Sequence, residues 1–218
     1  ISSFGFTALL VVFSKAEAEW GLRELSGICG MNPSKKEIRN LSDDIAVTFV
    51  PMNAVSEVTG RIENPSIKPL KDVKKGYTYF KEGDVLFAKI TPCMENGKSA
   101  IARNLANGMG FGSTEFHVIR PSNEIIAEWV YYFIRQKSFR ELAAKNMTGS
   151  VGQQRVPEEF LKSVRIPLPP ILEQKHIVEY LNKLQEKVEA LKKYQEETRG
   201  EIEAMAQAVL RKAFNGEL

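Results

Sequence analysis

The chain has 218 residues, of which 43% are hydrophobic and 26% charged, a composition that excludes a disordered or fibrous protein. A formal net charge of +3 permits nucleic-acid binding without demanding it, and no apolar run reaches the roughly 18 residues that span a bilayer. Two cysteines, Cys29 and Cys93, cannot form a disulfide framework or a four-cysteine zinc site, so a reducing, cytoplasmic location is expected.

The first segment, residues 1–13, is mostly apolar and about as long as the core of a signal peptide. No basic residue precedes it, and the sequence does not begin with Met. Three interpretations stay open: a buried strand or helix, a truncation remnant, or a targeting segment. Residues 1–16 are therefore given no functional weight.

Three short segments have the β-branched and aromatic composition, with flanking turn residues, that predicts strands: residues 45–52, 84–90 and 116–119. Between residues 124 and 145 the apolar side chains recur at steps of three and four, which predicts helix. Residues 147–155 have few apolar side chains and two glycines, so we expect a polar loop. Together these elements predict a mixed α/β domain.

Side chains that could support catalysis are scattered along the sequence. His117 lies in an apolar strand, His176 opens a helical segment, and Cys93 follows a strand, where packing is its expected role. The sequence has no Walker lysine loop. The glycines at 108, 110 and 112 superficially resemble a phosphate loop, but no helix follows them, and a turn joining two strands is expected instead. We predict that the chain catalyses no reaction.

Residues 171 to about 214 contain no proline and a single glycine, which predicts one long helix. Three prolines at 167, 169 and 170 exclude helix before it, and Asn215 and Gly216 supply a C-terminal cap. Apolar residues at alternating steps of four and three predict a coiled-coil seam with a polar layer at its centre. The predicted dimerisation seam comprises Leu181, Leu184, Val188, Leu191, Gln195, Thr198, Ile202, Met205 and Val209.

A helix of about 44 residues is roughly 65 Å long, too long to bury its whole apolar stripe against a domain of this size. We therefore expect the helix to project and to pair with a second helix, with the polar layer fixing the register. The alternative is a helix that packs on its own domain throughout. From residue 170 onward the chain has eight basic and nine acidic residues, so the net positive charge lies before the helix.

Polar side chains suited to DNA flank the ends of the predicted strands. Lysine, serine and threonine can hold phosphates, glutamine can read adenine, and arginine or lysine can read guanine. The candidate DNA-binding residues are Lys89, Thr91, Asn96, Lys98, Ser113, Thr114, Thr148, Ser150, Gln153, Gln154 and Arg155. We expect Gln153, Gln154 and Arg155 to contact base edges, and Lys89, Lys98, Ser113 and Thr148 to contact the backbone. The alternative is an ordinary set of solvated loops, with Thr114, Glu115 and Phe116 serving the core and turns.

Four segments, taken in order, resemble the specificity subunits of Type I restriction-modification systems. Residues 83–98 and 112–121 are similar to strand-and-loop signatures of that family's target recognition domain, and residues 147–157 to the loop that closes it. Residues 166–178, with the Pro-rich sequence IPLPP, are similar to the start of the family's conserved spacer helix. The resemblance runs from about Trp20 to Leu218.

The resemblance implies an α+β fold: a mixed α/β globular target recognition domain, residues 1–169, followed by one long projecting α-helix, residues 170–218, that pairs as an antiparallel coiled coil. It implies a subunit that reads one half of a bipartite site in double-stranded DNA and docks modification subunits, which bind S-adenosylmethionine. Restriction subunits that use ATP join this core. A full specificity subunit has two recognition domains and two helices, whereas this sequence has one of each, which makes it a half-length subunit or a fragment. If two copies pair their helices antiparallel, a homodimer on an inverted-repeat site follows.

Two other functions remain as hypotheses. One is a coiled-coil adaptor whose globular head binds another protein and has no role on DNA. The other is an enzyme whose active site the sequence does not reveal, which would require convergent titratable groups in a cleft.

Overall fold

The computed structural model describes residues 3–216, with side chains from Ala8 onward. Its first element is helix α1, Ser3–Glu19. Leu9, Phe13 and Ala16 of α1 are buried, and the Phe13 ring lies 4.6 Å from the ring of Trp129, centroid to centroid. From Ser3 onward the apolar segment is therefore a helix, and from Ala8 onward one side of it is buried, which agrees with the first of the three interpretations. Its first two residues lie outside the described part of the chain.

The globular part that follows, here called the head, alternates short strands and short helices. The strands are β1 Leu22–Glu24, β2 Cys29–Met31, β3 Ala46–Val50, β4 Ser66–Pro69, β5 Thr78–Lys81, β6 Val85–Ala88, β7 Ser99–Ile101, β8 Met109–Gly112, β9 Phe116–Pro121 and β10 Arg165–Pro167. The remaining helices are α2 Leu25–Ile28, α3 Leu70–Val73, α4 Ala127–Ile134, α5 Lys137–Lys145, α6 Glu158–Ser163 and α7 Ile171–Asn215. The head is thus a mixture of both element types, as predicted.

Two four-stranded sheets carry the head, in the orders β2-β9-β6-β7 and β4-β3-β8-β5. All pairs are antiparallel except β3 with β8. Strand β6 is buried on both faces, because Val85 and Phe87 pack into one apolar cluster while Leu86 and Ala88 pack into another. Burial on both sides explains why its sequence lacks the polar alternation of a half-exposed strand.

The three predicted strands are present as β3, β6 and β9. Strands β3 and β6 are shorter than their predicted segments, and β9 extends two residues beyond its own. The predicted helix over residues 124–145 is instead two helices, α4 and α5. The break falls at Arg135 and Gln136, which are both buried. The extended backbone of Gln136 (ψ 141°) turns the chain between them.

The glycine-rich segment around Gly110 is a strand, so the predicted turn is wrong for most of it. Only Gly108 has turn geometry, with φ of 66°. A Cβ at Gly110 would lie 2.1 Å from the Phe80 ring, and one at Gly112 would lie 2.5 Å from the carbonyl oxygen of Val50. These glycines are needed because β8 runs between β3 and β5 with no space for side chains at either position.

Helix α7 is the single long helix predicted, and it ends at Gly216 in the left-handed conformation (φ 71°). Its first turns pack on the head, where Gln174, Val178 and Leu181 are buried. From Glu189 to Gly216 all side chains are exposed. The helix therefore projects, and the alternative of packing on its own head throughout is wrong.

The predicted seam is divided by this geometry. Leu181 belongs to the core of the head and is 4% exposed. The prediction that it contacts a second helix is therefore wrong. Leu184 and Val188 are half-buried beside α1. The later seam residues Leu191, Gln195, Thr198, Ile202, Met205 and Val209 are exposed.

The start and end of the head lie side by side. Strand β1 pairs antiparallel with β10, with Arg23 opposite Ile166. The indole Nε1 of the fully buried Trp129 donates a hydrogen bond to the carbonyl of Pro167 at 2.9 Å. These contacts place the beginning of α7 against α1 and α4.

Candidate functional site

Three loops lie together at one end of the strands of the first sheet. The register pairs Ala88, the last residue of β6, with Phe116, the first residue of β9, and Phe87 with Ser99, the first residue of β7. The segment after β6 and the segments before β7 and β9 therefore meet at the same place. We call this the polar edge, formed by residues 89–98, 113–115 and 147–156.

The loop 147–156 is hydrogen-bonded to this edge through its backbone. Thr91 N donates to Gln154 O at 3.0 Å, and Val156 N donates to Lys89 O at 2.9 Å. Within the loop, Thr148 and Arg155 exchange two backbone hydrogen bonds, of 2.9 and 2.8 Å. The fold thus brings all eleven candidate residues to one edge of one sheet, although they come from three separate parts of the sequence.

Arg155 is already held by a carboxylate. Its Nε and Nη2 donate to the two oxygens of Glu115 at 2.9 and 2.8 Å, and its Nη1 donates to Gln153 O at 2.8 Å. The hydrogen bond from Arg155 keeps the pKa of Glu115 below its usual value. The pair ties the loop to the start of β9, and the predicted base contact by Arg155 would have to use the guanidinium N–H groups that remain.

Several other candidates support the loops as well as facing solvent. Thr91 Oγ1 donates to Glu95 Oε1 at 2.6 Å, and the Ser113 hydroxyl accepts a hydrogen bond from Glu115 N at 3.2 Å. Lys98 is half-buried, with its Nζ 3.4 Å from Met52 O. Asn96, Thr114, Thr148, Ser150 and Gln153 are exposed, while Lys89 and Gln154 are half-buried.

Two arginines, the buried Arg135 and the half-buried Arg140, fix the segment between β6 and β7 from behind. Arg135 donates to Gly97 O and to Glu57 O, both at 3.1 Å, and Arg140 donates to Glu95 O. Sequence reasoning missed both residues, which lie about 40 positions from the loop that they hold. The available signal, for Arg135 only, was an arginine directly after the mostly apolar stretch that forms α4.

The loop 147–156 also presents an apolar side chain that sequence reasoning passed over. Val151 is 98% exposed at its tip, between Gly149 (φ 117°) and Gly152 (φ 79°). Both glycines occupy the left-handed region that other residues rarely adopt. The tip therefore depends on its glycines, and it carries a methyl-bearing side chain among polar neighbours.

His117 connects the end of this loop to the sheet. Its Nε2 lies 2.8 Å from Val156 O and its Nδ1 lies 3.2 Å from Asn32 Nδ2. Asn32 Nδ2 also donates to Glu158 Oε2 at 2.6 Å. Burial lowers the pKa of His117. A neutral imidazole that donates from Nε2 and accepts at Nδ1 satisfies each of these hydrogen bonds, so His117 has a structural role here.

Within the described residues 3–216, no group of three or more His, Cys, Asp or Glu side chains is arranged to hold a metal ion. No helix in the same range is both long and apolar enough to cross a membrane.

Comparison with known proteins identifies the family. A family model described as "Type I restriction modification DNA specificity domain" matches residues 17–198. The chain belongs to this family. The match includes the last turn of α1, the whole head and more than half of α7.

Curated relatives match over most of this chain. It is 40% identical over 166 residues to the Type I restriction enzyme EcoEI specificity subunit of Escherichia coli. It is 41% identical over 160 residues to the EcoAI specificity subunit of the same species. These alignments cover 76% and 73% of this chain, but only 27% of each relative. The chain therefore matches about a quarter of the length of either relative.

Solved structures share the fold. A chain from a study of complex assembly and conformational transition of the type I R-M system superposes with a TM-score of 0.72 at 25% identity, covering 99% of this chain and 52% of that one. The HsdS subunit from Thermoanaerobacter tengcongensis superposes with a TM-score of 0.63 at 24% identity, covering 99% and 51%. The α+β head with a long C-terminal helix is thus the fold of this family.

Proposed function

We propose that this chain is a non-catalytic DNA-recognition subunit of a Type I restriction-modification complex, reading one half of a bipartite site in double-stranded DNA. The observation that carries the proposal is the family match over residues 17–198. The polar edge supports it, because hydroxyl, amide and cationic side chains are gathered on loops held in place from behind. The proposal also places the protein in the cytoplasm, where it would meet its DNA site.

The second half of the site would be read by a second copy. Beyond Glu189 the helix exposes Leu191, Ile202, Met205 and Val209, and an apolar stripe on a projecting helix favours pairing with another helix. An antiparallel pair has two-fold symmetry, so two heads lie at opposite ends and read an inverted repeat. With a helix of 45 residues, about 67 Å long, the two half-sites would be separated by nearly two turns of DNA.

In this proposal the partners are the modification and restriction subunits of a Type I restriction-modification complex. Modification subunits would bind S-adenosylmethionine and methylate adenine, and restriction subunits would use ATP. This chain would contribute recognition and geometry only.

The test is co-purification with a modification subunit from the same source, followed by mapping of methylated adenines in genomic DNA. The expected result is methylation confined to a split, inverted-repeat sequence that changes when the polar edge is altered. A stable complex without any sequence-dependent methylation would contradict the proposal. The adaptor hypothesis predicts binding of this chain to protein alone, with no DNA retained.

A further inference from the structure

The first turn of α7 is fixed to the head by one buried side-chain amide. Gln174 is 0% exposed. Its Oε1 accepts a hydrogen bond from Ile126 N at 3.0 Å, and its Nε2 donates to Glu124 O at 3.0 Å and to Pro169 O at 2.8 Å. Both amide hydrogens are used, so any rotation of the helix here leaves buried polar groups without partners, which is costly.

A second polar contact lies two turns further along the same helix. The Tyr132 hydroxyl donates to Asn182 Oδ1 at 2.6 Å, about 12 Å from Gln174 along the axis. Val178 and Leu181 are buried between the two contacts. One contact would allow the helix to pivot, whereas two separated contacts fix its direction relative to the head.

The direction of α7 is amplified by its length. The part of the helix beyond Asn182 is about 50 Å long. A rotation of about 4° at that contact moves the far end by roughly 3.4 Å, which is the rise of one base pair. Small angular freedom at the head therefore becomes a whole base-pair step at the distant end.

We infer that Gln174 and Asn182 are positioning residues that set the angle between head and helix, and through it the spacing between half-sites that the protein accepts. The inference rests on the proposed function. It separates two properties of the chain: the polar edge determines which bases are read, and these two contacts determine how far apart the two reading positions lie.

The test uses two variants with different risks to folding. Asn182→Ala alters an exposed residue, and Gln174→Met keeps a similar volume while removing the amide hydrogen bonds. Lys183→Ala is the control, because Lys183 is on the same turn and pairs only along the helix, with Glu179. Each full chain is assembled with its modification subunits and offered sites whose half-sites are separated by graded numbers of base pairs.

The variants are expected to retain the base preference at each half-site. Methylation at spacings one base pair longer or shorter than the optimum should rise about fivefold relative to the optimum, the equilibrium weight of about one net hydrogen bond. The control should keep the wild-type profile. An unchanged spacing profile in both variants, with a sharp profile in the wild type, would overturn the inference while leaving the proposed function standing.

A second measurement does not depend on DNA. Spin labels at Lys75→Cys on the head and Lys212→Cys near the helix end, in a Cys93→Ser chain diluted with unlabelled protein, report the distribution of distances within one chain. Asn182→Ala should widen this distribution, and an unchanged width would overturn the inference. If the wild-type assembly shows no preferred spacing at all, the proposed function fails, and the distance measurement still decides whether the two contacts fix the helix.

Discussion

Side chains at the polar edge differ in how much of their hydrogen-bonding capacity the protein already uses. Arg155 donates two hydrogen bonds from one edge of its guanidinium to Glu115, whereas the structural contact made by Gln154 comes from its backbone carbonyl. The amide of Gln154 can therefore be removed without loosening the loop. Among the residues predicted to contact bases, Gln154 is thus the one whose substitution reports most directly on recognition.

Gln154→Ala should relax specificity at one base position, with a cost of about 1–3 kcal/mol for the preferred base. The loop should stay in place because Thr91 N still finds the carbonyl of residue 154. The measurement is methylation of a library in which each base of the half-site is varied. Lys89→Ala is the matched control and should weaken all sequences alike. An equal loss for every sequence in Gln154→Ala would contradict the base-reading role.

The stability of the head should fall as the pH drops below about 7, because of His117. Burial is the main reason that the pKa of His117 is lowered from 6.5, with a smaller contribution from Lys89, while the bond to Val156 O, Glu158 and Glu159 act in the opposite direction. The unfolded chain takes up a proton near pH 6.5 that the native imidazole does not accept. Stability is therefore full above that pH and declines until native His117 is itself protonated.

Urea unfolding at a series of pH values measures this decline. His117→Gln should be less stable at neutral pH but should lose most of the pH dependence that begins just below pH 7. His176→Gln changes an exposed histidine and should leave the dependence intact. A decline of the same steepness in both variants would assign the effect to other groups.

At the scale of single elements, β8 shows how a strand can be concealed in a turn-like sequence. Gly110 and Gly112 have the spacing of turn residues. Each is instead required because a neighbour, Phe80 or Val50, lies too close to leave space for a Cβ. These close contacts exist only after β3, β5 and β8 have paired. The local sequence could therefore not predict that the glycines lie in a strand.

Gly110→Ala should destabilise the head by about 1–3 kcal/mol or more, because its Cβ would overlap the Phe80 ring. Gly27→Ala is the control, since a Cβ there meets nothing within 4 Å and alanine favours the helix α2. Chemical unfolding of both variants gives the comparison. Equal stability of the two would mean that β8 does not pack against Phe80 as described.

Two copies of the chain are predicted to pair through the exposed half of α7. Leu191→Asp with Val209→Asp should convert a dimer into a monomer at micromolar concentration, because two carboxylates would be buried between helices. Both side chains are more than half exposed in the single chain, so the head should unfold at an unchanged temperature. Sedimentation velocity measures the change.

Ala190→Asp with Gln207→Asp adds the same charge off the seam, and this control should remain dimeric. A wild-type chain that sediments as a monomer would exclude pairing through this seam. A double seam variant that remains a dimer would place the interface elsewhere.

At the scale of the whole molecule, DNA binding through the head should weaken steeply with salt. Each phosphate neutralised by a cation contributes about 0.9 to the negative slope of log affinity against log salt concentration. A gel-shift titration with the cognate site measures that slope. The adaptor hypothesis predicts no such dependence, and a flat titration would favour it.

The sequence predicted the long helix most completely, because three prolines, a heptad pattern and a C-terminal glycine are local signals. It also predicted the three strands and the polar loop. It could not predict that Leu181 serves the head's own core, because the seam pattern is the same whichever partner covers it. Arg135 and Arg140 escaped notice for a similar reason, since their roles depend on a loop far away in sequence.

The pairing of β1 with β10 has a consequence for how such a protein can change over time. The polypeptide enters and leaves the head at adjacent points, so the segment between β1 and β10 is joined at one place to the two helices that flank it, α1 and α7. Exchanging that segment for another that keeps the contacts of Glu124, Ile126 and Tyr132 with α7 would leave the direction of the helix unchanged. New targets could then be acquired in one recombination event instead of by gradual change.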